Sequence, residues 1–192
     1  PGASGGVNID GGAAVDPETG LLYVAAQNGL STMQLLKDPC SEFRYTTSAP
    51  SDYTNGVDIL GTRRWLVRDN RFFRIRGPKQ QSGPAILAWK GAEDTVIERN
   101  VIVDSFRGIA LGLQPDHAGL GYDHLRGIVR NNIVFNLNSW ADEAIEASGA
   151  RNSVIEHNTV LVTGGPTWSI SVRFPRASAQ VRNNLTSARV LS

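Results

Sequence analysis

The tetrapeptide Ile97-Glu98-Arg99-Asn100 is one copy of a pattern that recurs through the chain: a β-branched residue, two polar residues and an asparagine. The five copies are Val67-Arg68-Asp69-Asn70, Ile97-Glu98-Arg99-Asn100, Val129-Arg130-Asn131-Asn132, Ile155-Glu156-His157-Asn158 and Val181-Arg182-Asn183-Asn184. Successive asparagines are 30, 32, 26 and 26 residues apart. A repeat of this length, rich in Val and Ile and without a three- or four-residue apolar period, predicts one β-rich coil per repeat.

The residues around each asparagine follow the same register. Two positions after it stand Phe72, Ile102, Val134, Val160 and Thr186, so the period of two continues past the asparagine. Two positions before it stand Arg68, Glu98, Arg130, Glu156 and Arg182, which alternate in sign. In a parallel stack these would be cross-strand neighbours, where opposite charges are stabilising. Nine positions before it stand Gly61, Gly91, Asp123, Gly149 and Pro175, which predicts a second corner.

The asparagines themselves have two physical reasons to recur. Asparagine tolerates the left-handed backbone conformation, so we expect each one to occupy a sharp corner in that conformation. Stacked copies can also hydrogen-bond side chain to side chain from one coil to the next, which predicts an asparagine ladder.

The segment from Asn55 to Ser187 resembles the right-handed parallel β-helix repeat family, which includes many extracellular glycan-processing proteins. The resemblance implies an all-β fold, a right-handed parallel β-helix of about five coils, over residues 50–192. It also implies a secreted, periplasmic or cell-surface location. Solenoids of this kind host lyases, hydrolases, epimerases, adhesins and structural proteins, so the fold does not define the activity.

Residues 1–46 differ from the repeats. The strand-like run 21–26 follows a turn at 16–20, and the dipeptide Asn28-Gly29 before a second run, 31–36, is typical of a tight hairpin. The glycine-rich stretch 4–31 resembles a blade segment of the quinoprotein propellers, the PQQ-dependent dehydrogenases. One hairpin cannot enclose that cofactor, so no PQQ is expected, and residues 37–50 read as a linker.

The first residue is Pro1, with no initiator Met and no leader sequence, so we expect a processed chain or a piece of a longer one. A fragment of a larger quinoprotein-like chain is therefore one further alternative for its identity.

Composition limits the partners. The chain has 192 residues, 41% hydrophobic and 19% charged, and lacks a run approaching the eighteen or so apolar residues of a membrane span, so no membrane partner is expected. Residues 47–192 carry seventeen positive and thirteen negative groups, out of 19 and 18 in all. This excess is too weak to predict nucleic-acid binding but suits an anionic partner. A single cysteine, Cys40, and three scattered histidines exclude a thiolate zinc cluster.

An insertion interrupts the third repeat between Leu111 and Leu125. Insertions in repeat proteins gather on one face, often the binding face. The functional interpretation assigns proton transfer to two histidines and substrate contacts to an aromatic and two acidic residues, namely His117, His124, Tyr122, Asp116 and Asp123. The alternative is a solvated loop whose polar residues only maintain solubility.

Lys90 is the other candidate. The segment 89–97 resembles the lysine-containing strand of the alginate lyase and chondroitinase B family, which implies that Lys90 abstracts the proton α to a uronate carboxylate. That family has an assisting arginine one coil further on. Here the sequence 109–113 stands in its place, and the nearest arginine is Arg107, which we assign to substrate binding. The alternative is an ordinary lysine beside a corner.

Asp142, Glu143 and Glu146 form an acidic cluster in the fourth repeat. Their oxygens are of the kind that calcium prefers, but no recognised ligand spacing joins them, so surface charge is the preferred interpretation and no metal site is predicted. Two functions stay open. The first is a glycan-directed β-helix that binds an acidic polysaccharide and cleaves it, lyase-like, by β-elimination. The second is a non-catalytic structural or interaction solenoid.

Overall fold

The computed structural model describes residues 55–76, 83–163 and 168–191, together with the backbone of six short strands among the first 54 residues. The described residues form strands and turns without a helix, so the protein is all-β, as predicted. No helix in this part of the chain is long and apolar enough to cross a membrane.

Nineteen strands lie between residues 57 and 191. In chain order they are β7 (Val57–Leu60), β8 (Leu66–Arg68), β9 (Arg71–Phe73), β10 (Pro84–Trp89), β11 (Ala92–Glu93), β12 (Val96–Glu98), β13 (Val101–Val103), β14 (Arg107–Leu113), β15 (His124–Leu125), β16 (Ile128–Arg130), β17 (Ile133–Asn136), β18 (Ile145–Ser148), β19 (Ala150–Arg151), β20 (Ser153–Glu156), β21 (Thr159–Val162), β22 (Trp168–Arg173), β23 (Ala179–Arg182), β24 (Leu185–Thr186) and β25 (Arg189–Leu191). The strands β1 to β6 precede them, at Gly6–Val7, Ala13–Asp16, Leu21–Val24, Ala26–Gln27, Leu35–Leu36 and Thr46–Thr47.

The nineteen strands form four parallel sheets, and within each sheet neighbouring strands come from successive repeats. The six-stranded sheet has the order β25-β22-β18-β14-β10-β7, and the three-stranded sheet has the order β11-β15-β19. The strands before the asparagines form one five-stranded sheet, β23-β20-β16-β12-β8, and those after them form another, β24-β21-β17-β13-β9. The repeat predicted from the sequence is therefore confirmed as a stack of parallel strands.

The hydrophobic core consists of columns of β-branched side chains. The column before the asparagines pairs Val67 with Ile97, Ile97 with Val129, Val129 with Ile155 and Ile155 with Val181, in register. The first four are buried and Val181 is partly buried against the same cluster. A second column follows the asparagines, with Ile102 between Phe72 and Val134. Both columns were predicted from the period of two.

The asparagine ladder is also confirmed. The Nδ2 of Asn70 donates to Oδ1 of Asn100 at 3.0 Å, and Asn100 donates in the same way to Asn132 at 3.0 Å. The bonds from Asn132 to Asn158 and from Asn158 to Asn184 measure 3.0 and 2.9 Å. Each Oδ1 also accepts the backbone N–H of the preceding asparagine in the ladder. The ladder therefore satisfies backbone and side-chain groups together, and its three middle members are buried.

The position of the left-handed residue corrects one prediction. The positive φ angles belong to the residue before each ladder asparagine, and these are Asp69, Arg99, Asn131, His157 and Asn183, with φ between 54° and 59°. The ladder asparagine comes directly before the next strand, and its side chain points into the stack. The second corner stands as predicted, since Gly61, Gly91 and Gly149 have φ of 57°, 84° and 64°.

The alternating charges pair across the strands. Arg130 lies 2.7 Å from Glu98, and Arg182 lies 2.7 Å from Glu156. Arg99 adds a bidentate contact to Asp69, with two bonds of 2.8 Å. Because the arginines of these pairs are largely exposed to solvent, the pairs contribute little to stability and act mainly on register.

The N-terminal strands pair differently from the prediction. Ala13–Asp16 pairs antiparallel with Leu21–Val24. Leu35–Leu36 pairs with Thr46–Thr47, so the run 37–50 interpreted as a linker contains a strand, whereas the turn expected at Asn28-Gly29 lies outside the described residues. The residues of the turns themselves, and the likeness of 4–31 to a propeller blade as a whole, lie outside the described residues.

Replacing Asn132 by Ala should lower the free energy of unfolding by about 2–4 kcal/mol, because it leaves several buried backbone and side-chain partners unpaired. Asn132 donates to the carbonyl oxygens of Ile97 and Arg130 as well as to Asn158. The matched control is Asn184→Ala at the half-exposed end of the ladder, where the loss should be clearly smaller. Urea unfolding of both variants measures the difference, and equal losses would contradict a ladder stabilised by burial.

Candidate functional site

Lys90 lies at the corner that follows β10, where the six-stranded sheet gives way to the three-stranded sheet. It has φ of 53°, and its backbone N–H donates to Oδ1 of Asp123 at 2.9 Å. Its half-buried side chain places Nζ 4.5 Å from the centre of the Trp89 ring. Trp89 in turn donates its Nε1–H to Asp58 at 2.8 Å, which fixes the ring. The lysine is therefore held against a fixed aromatic surface.

The insertion leaves the sheet at the end of β14 and returns at β15. Its base is fixed by Asp123, which is fully buried and accepts the N–H groups of Leu113 at 2.8 Å and Gln114 at 3.2 Å as well as that of Lys90. This carboxylate is occupied by backbone donors. Asp123 therefore positions the loop against Lys90. The sequence had predicted that this side chain contacts the substrate directly.

Two other predicted loop residues also make internal contacts. Oδ1 of Asp116 accepts the N–H of Gly121 at 2.6 Å, which closes the loop. The hydroxyl of Tyr122 donates to Oε1 of Glu93 at 2.8 Å. That bond, together with burial, raises the pKa of Tyr122 above its ordinary value. Both side chains are half-buried, so each keeps a surface that a ligand can contact.

The two predicted histidines lie in different environments. His117 is half-buried in the loop. Its backbone N–H donates to the backbone carbonyl oxygen of Tyr122 at 3.1 Å. His124 is fully buried under the three-stranded sheet, with Nε2 3.1 Å from Oγ1 of Thr95 and no hydrogen-bond partner for Nδ1. Burial lowers the pKa of His124 to about 4, against the opposing charges of Asp94 and Glu93. A polysaccharide at the surface cannot reach this imidazole.

The loop joins cationic side chains from three repeats. A methyl group added at Gly91 would lie 3.5 Å from the ring of His117, so His117 lies directly beside the Lys90 corner. A methyl group added at Gly121 would lie 3.5 Å from a guanidinium nitrogen of Arg176 and 3.6 Å from one of Arg151. We call Lys90, Arg151 and Arg176, together with His117 of the loop between them, the cationic strip; its positive charge comes from the lysine and the two arginines.

Unlike Arg126 and Arg173, the lysine and the two arginines of the cationic strip have no carboxylate partner among the described residues. Within residues 55–76, 83–163 and 168–191, Lys90, Arg151 and Arg176 form no salt bridge. Arg126, by contrast, is bound to Glu93 at 2.8 Å and to Asp94 at 2.6 Å. The strip thus combines uncompensated positive charge with one aromatic ring.

Arg107 lies away from this strip, at the start of β14. Its Nε is bound to Asp142, and its guanidinium lies 3.9 Å from Oε2 of Glu146. The acidic cluster interpreted as surface charge is instead largely internal, since Glu143 and Glu146 are 6% and 2% exposed. They lie on the face of the six-stranded sheet opposite to the core, with Arg173 bound to both.

This carboxylate–arginine cluster is the part that sequence reasoning missed. Glu143 accepts the Ser171 hydroxyl at 2.7 Å, and burial together with the charge of Glu146 raises its pKa. Glu146 also accepts the hydroxyl of Ser148. The alternation Ile145-Glu146-Ala147-Ser148 places Glu146 opposite to the core, but only the partners in the neighbouring strands explain its burial.

In the part of the chain that the structure covers, no group of three or more His, Cys, Asp or Glu side chains has the arrangement of a metal site. Comparison with protein-family models, with curated proteins and with solved structures finds no match for this chain. The function has to be inferred from the geometry of the molecule itself.

The buried His124 predicts a specific pH dependence of stability. The pKa of His124 is about 4 in the folded protein and 6.5 in the unfolded chain. The contribution of the neutral imidazole to the free energy of unfolding is therefore complete above pH 6.5 and is lost as the pH falls towards 4. The loss amounts to about 3 kcal/mol. In His124→Gln the unfolding free energy should fall less over this interval than in the unchanged protein, as measured by urea titrations at several pH values. Parallel curves for the two proteins would contradict the burial of a neutral imidazole.

Proposed function

We propose that residues 55–191 form a right-handed parallel β-helix of about five coils that binds an acidic polysaccharide along the cationic strip. The four parallel sheets with one strand per repeat support the β-helix. Crossover connections between parallel strands of one sheet are right-handed in nearly all proteins, which supports a right-handed coil.

The observation that carries the binding proposal is the clustering of uncompensated cations along one loop. Lys90 follows β10, the loop follows β14, and Arg151 and Arg176 come shortly after β18 and β22. These four strands are consecutive neighbours in one parallel sheet, so their carboxyl ends form a line. Adjacent strands are about 4.8 Å apart, and a chain of charged sugars can contact several of them at once.

The chemistry of the strip suits a polyanionic sugar. Unpaired ammonium and guanidinium groups attract carboxylates over a distance limited by salt screening. The Trp89 ring beside Lys90 offers a flat apolar surface of the kind that packs against a sugar ring. The Nζ of Lys90 lies over this aromatic face, an arrangement that suits a lysine that binds anions. We therefore propose binding as the primary function, with β-elimination as a separate question.

A second candidate is the non-catalytic interaction or structural solenoid. The observation that favours it is the outer face of the five-stranded sheet after the asparagines, where large apolar side chains are exposed. They include Phe73, Ile133, Leu161 and Leu185. Incubation with polyuronides separates cleavage from binding, because β-elimination alone generates an unsaturated, ultraviolet-absorbing sugar end.

Substitution of Lys90 or Arg151 by Ala should each weaken binding of an oligouronide roughly three- to fivefold, a typical loss for one partly exposed charge contact. The effect should shrink as salt is raised because the contribution is Coulombic. Arg182→Ala is the control, because Arg182 is paired with Glu156 in a different sheet. Isothermal titration calorimetry at two salt concentrations makes the measurement. Equal losses in all three variants would mean that general surface charge, and not the cationic strip, binds the ligand.

A further inference from the structure

We propose that Glu146 is a second, hydroxyl-binding subsite for the same saccharide, in which its unpaired carboxylate oxygen accepts a hydrogen bond from an uncharged sugar hydroxyl. The inference deepens the proposed function and rests on it. It concerns the carboxylate–arginine cluster, whose polar groups the cationic strip does not use.

The two oxygens of Glu146 have different partners. Oε1 accepts the hydroxyl of Ser148 and is bound to Arg173. Oε2 is buried without a hydrogen-bond partner, and the nearest cation, Arg107, is 3.9 Å away. A buried carboxylate oxygen without a donor costs free energy, since it has lost its hydration without replacement. Such an oxygen is a site prepared for a donor.

Small side chains surround this oxygen on its own face of the sheet. Strand register places Ala110 beside Glu146 on one side and Ser171 on the other. Partly exposed arginines lie next to it, since 28% of the Arg107 side chain and 38% of the Arg173 side chain are exposed, against 2% for Glu146. A ligand reaches Oε2 only when one of these two arginine side chains moves aside.

The charge of the cluster selects the class of ligand. Asp142, Glu143 and Glu146 bring three carboxyl groups against two guanidinium groups, so a ligand carboxylate would be repelled. An oligouronide carries no cationic group, and its hydrogen-bond donors are hydroxyl groups. A neutral hydroxyl, which donates to Oε2 without adding charge, fits the site best.

The subsite and the cationic strip are close enough to serve one oligosaccharide. Ser148 pairs with Leu113 at the root of the loop, and the N–H of Leu113 donates to Asp123, which holds Lys90. On the other side, Arg173 precedes Arg176 of the strip by three residues. Carboxylates of the sugar chain would contact the strip, and a hydroxyl of a neighbouring unit would contact Glu146.

The experiment uses two probes and three variants of the full chain. The probes are an oligouronide and the same oligosaccharide with its carboxyl groups reduced to alcohols, which keeps hydroxyls and removes charge. Glu146→Gln replaces the acceptor. Ala110→Ser adds an internal hydroxyl beside Oε2 that competes with the ligand, and it stays informative even if Glu146→Gln fails to fold. Ala85→Ser is the control, because it adds the same hydroxyl to a buried alanine of the hydrophobic core, on a strand that is separated from that of Glu146 by β14.

The unchanged protein should bind the reduced oligosaccharide, and Glu146→Gln and Ala110→Ser should each weaken that binding roughly ten- to hundredfold, with Ala85→Ser unchanged. Ala110→Ser should also raise the melting temperature, because it satisfies the buried oxygen. The inference is overturned if the reduced probe does not bind, or binds equally to the unchanged protein and Ala110→Ser. A separate result would overturn the proposed function, binding of an acidic polysaccharide along the cationic strip. In that result the oligouronide binds no more tightly than its reduced form, and Lys90→Ala leaves the affinity for the oligouronide unaltered.

Discussion

The register of the asparagine ladder is the constraint on which the other features of residues 55–191 depend. Each ladder side chain accepts both the N–H and the Nδ2 of the preceding member, so a shift of one residue would break a continuous series of buried bonds. The same register aligns the hydrophobic columns and the alternating charges. An insertion in one repeat therefore has to leave the stack and return to it, as the loop after Leu113 does.

That requirement explains how the cationic strip arises. Because β14 and β18 must stay paired through Leu111 and Ala147, the extra residues of the third repeat project from the ends of the strands. Asp123 then satisfies the N–H groups that the projection frees, and it draws the loop against Lys90. The loop lies between cations of earlier and later repeats, so it connects Lys90 with Arg151 and Arg176, which are 61 and 86 residues further along the chain.

The sequence predicted the features that repeat and missed those that do not. Five aligned copies were enough to predict the ladder, the inward columns and the salt bridges of Glu98 and Glu156, because each position is tested several times. The left-handed residue was assigned one position too late, since propensity alone cannot distinguish Asn131 from Asn132. Within the insertion there is no second copy for comparison. The burial of His124 and Asp123 therefore emerged only from three-dimensional packing, as did that of Glu146 in its own repeat.

Chemical-shift mapping tests the central claim most directly. In a titration of the labelled protein with an oligouronide, the backbone amides that shift should belong to Lys90, the loop up to Asp123, and the residues from Ser148 to Arg151 and from Arg173 to Arg176. These segments lie together only in the stacked arrangement of the six-stranded sheet. Shifts confined to the exposed apolar face of the sheet β24-β21-β17-β13-β9, or spread evenly over the surface, would contradict the account.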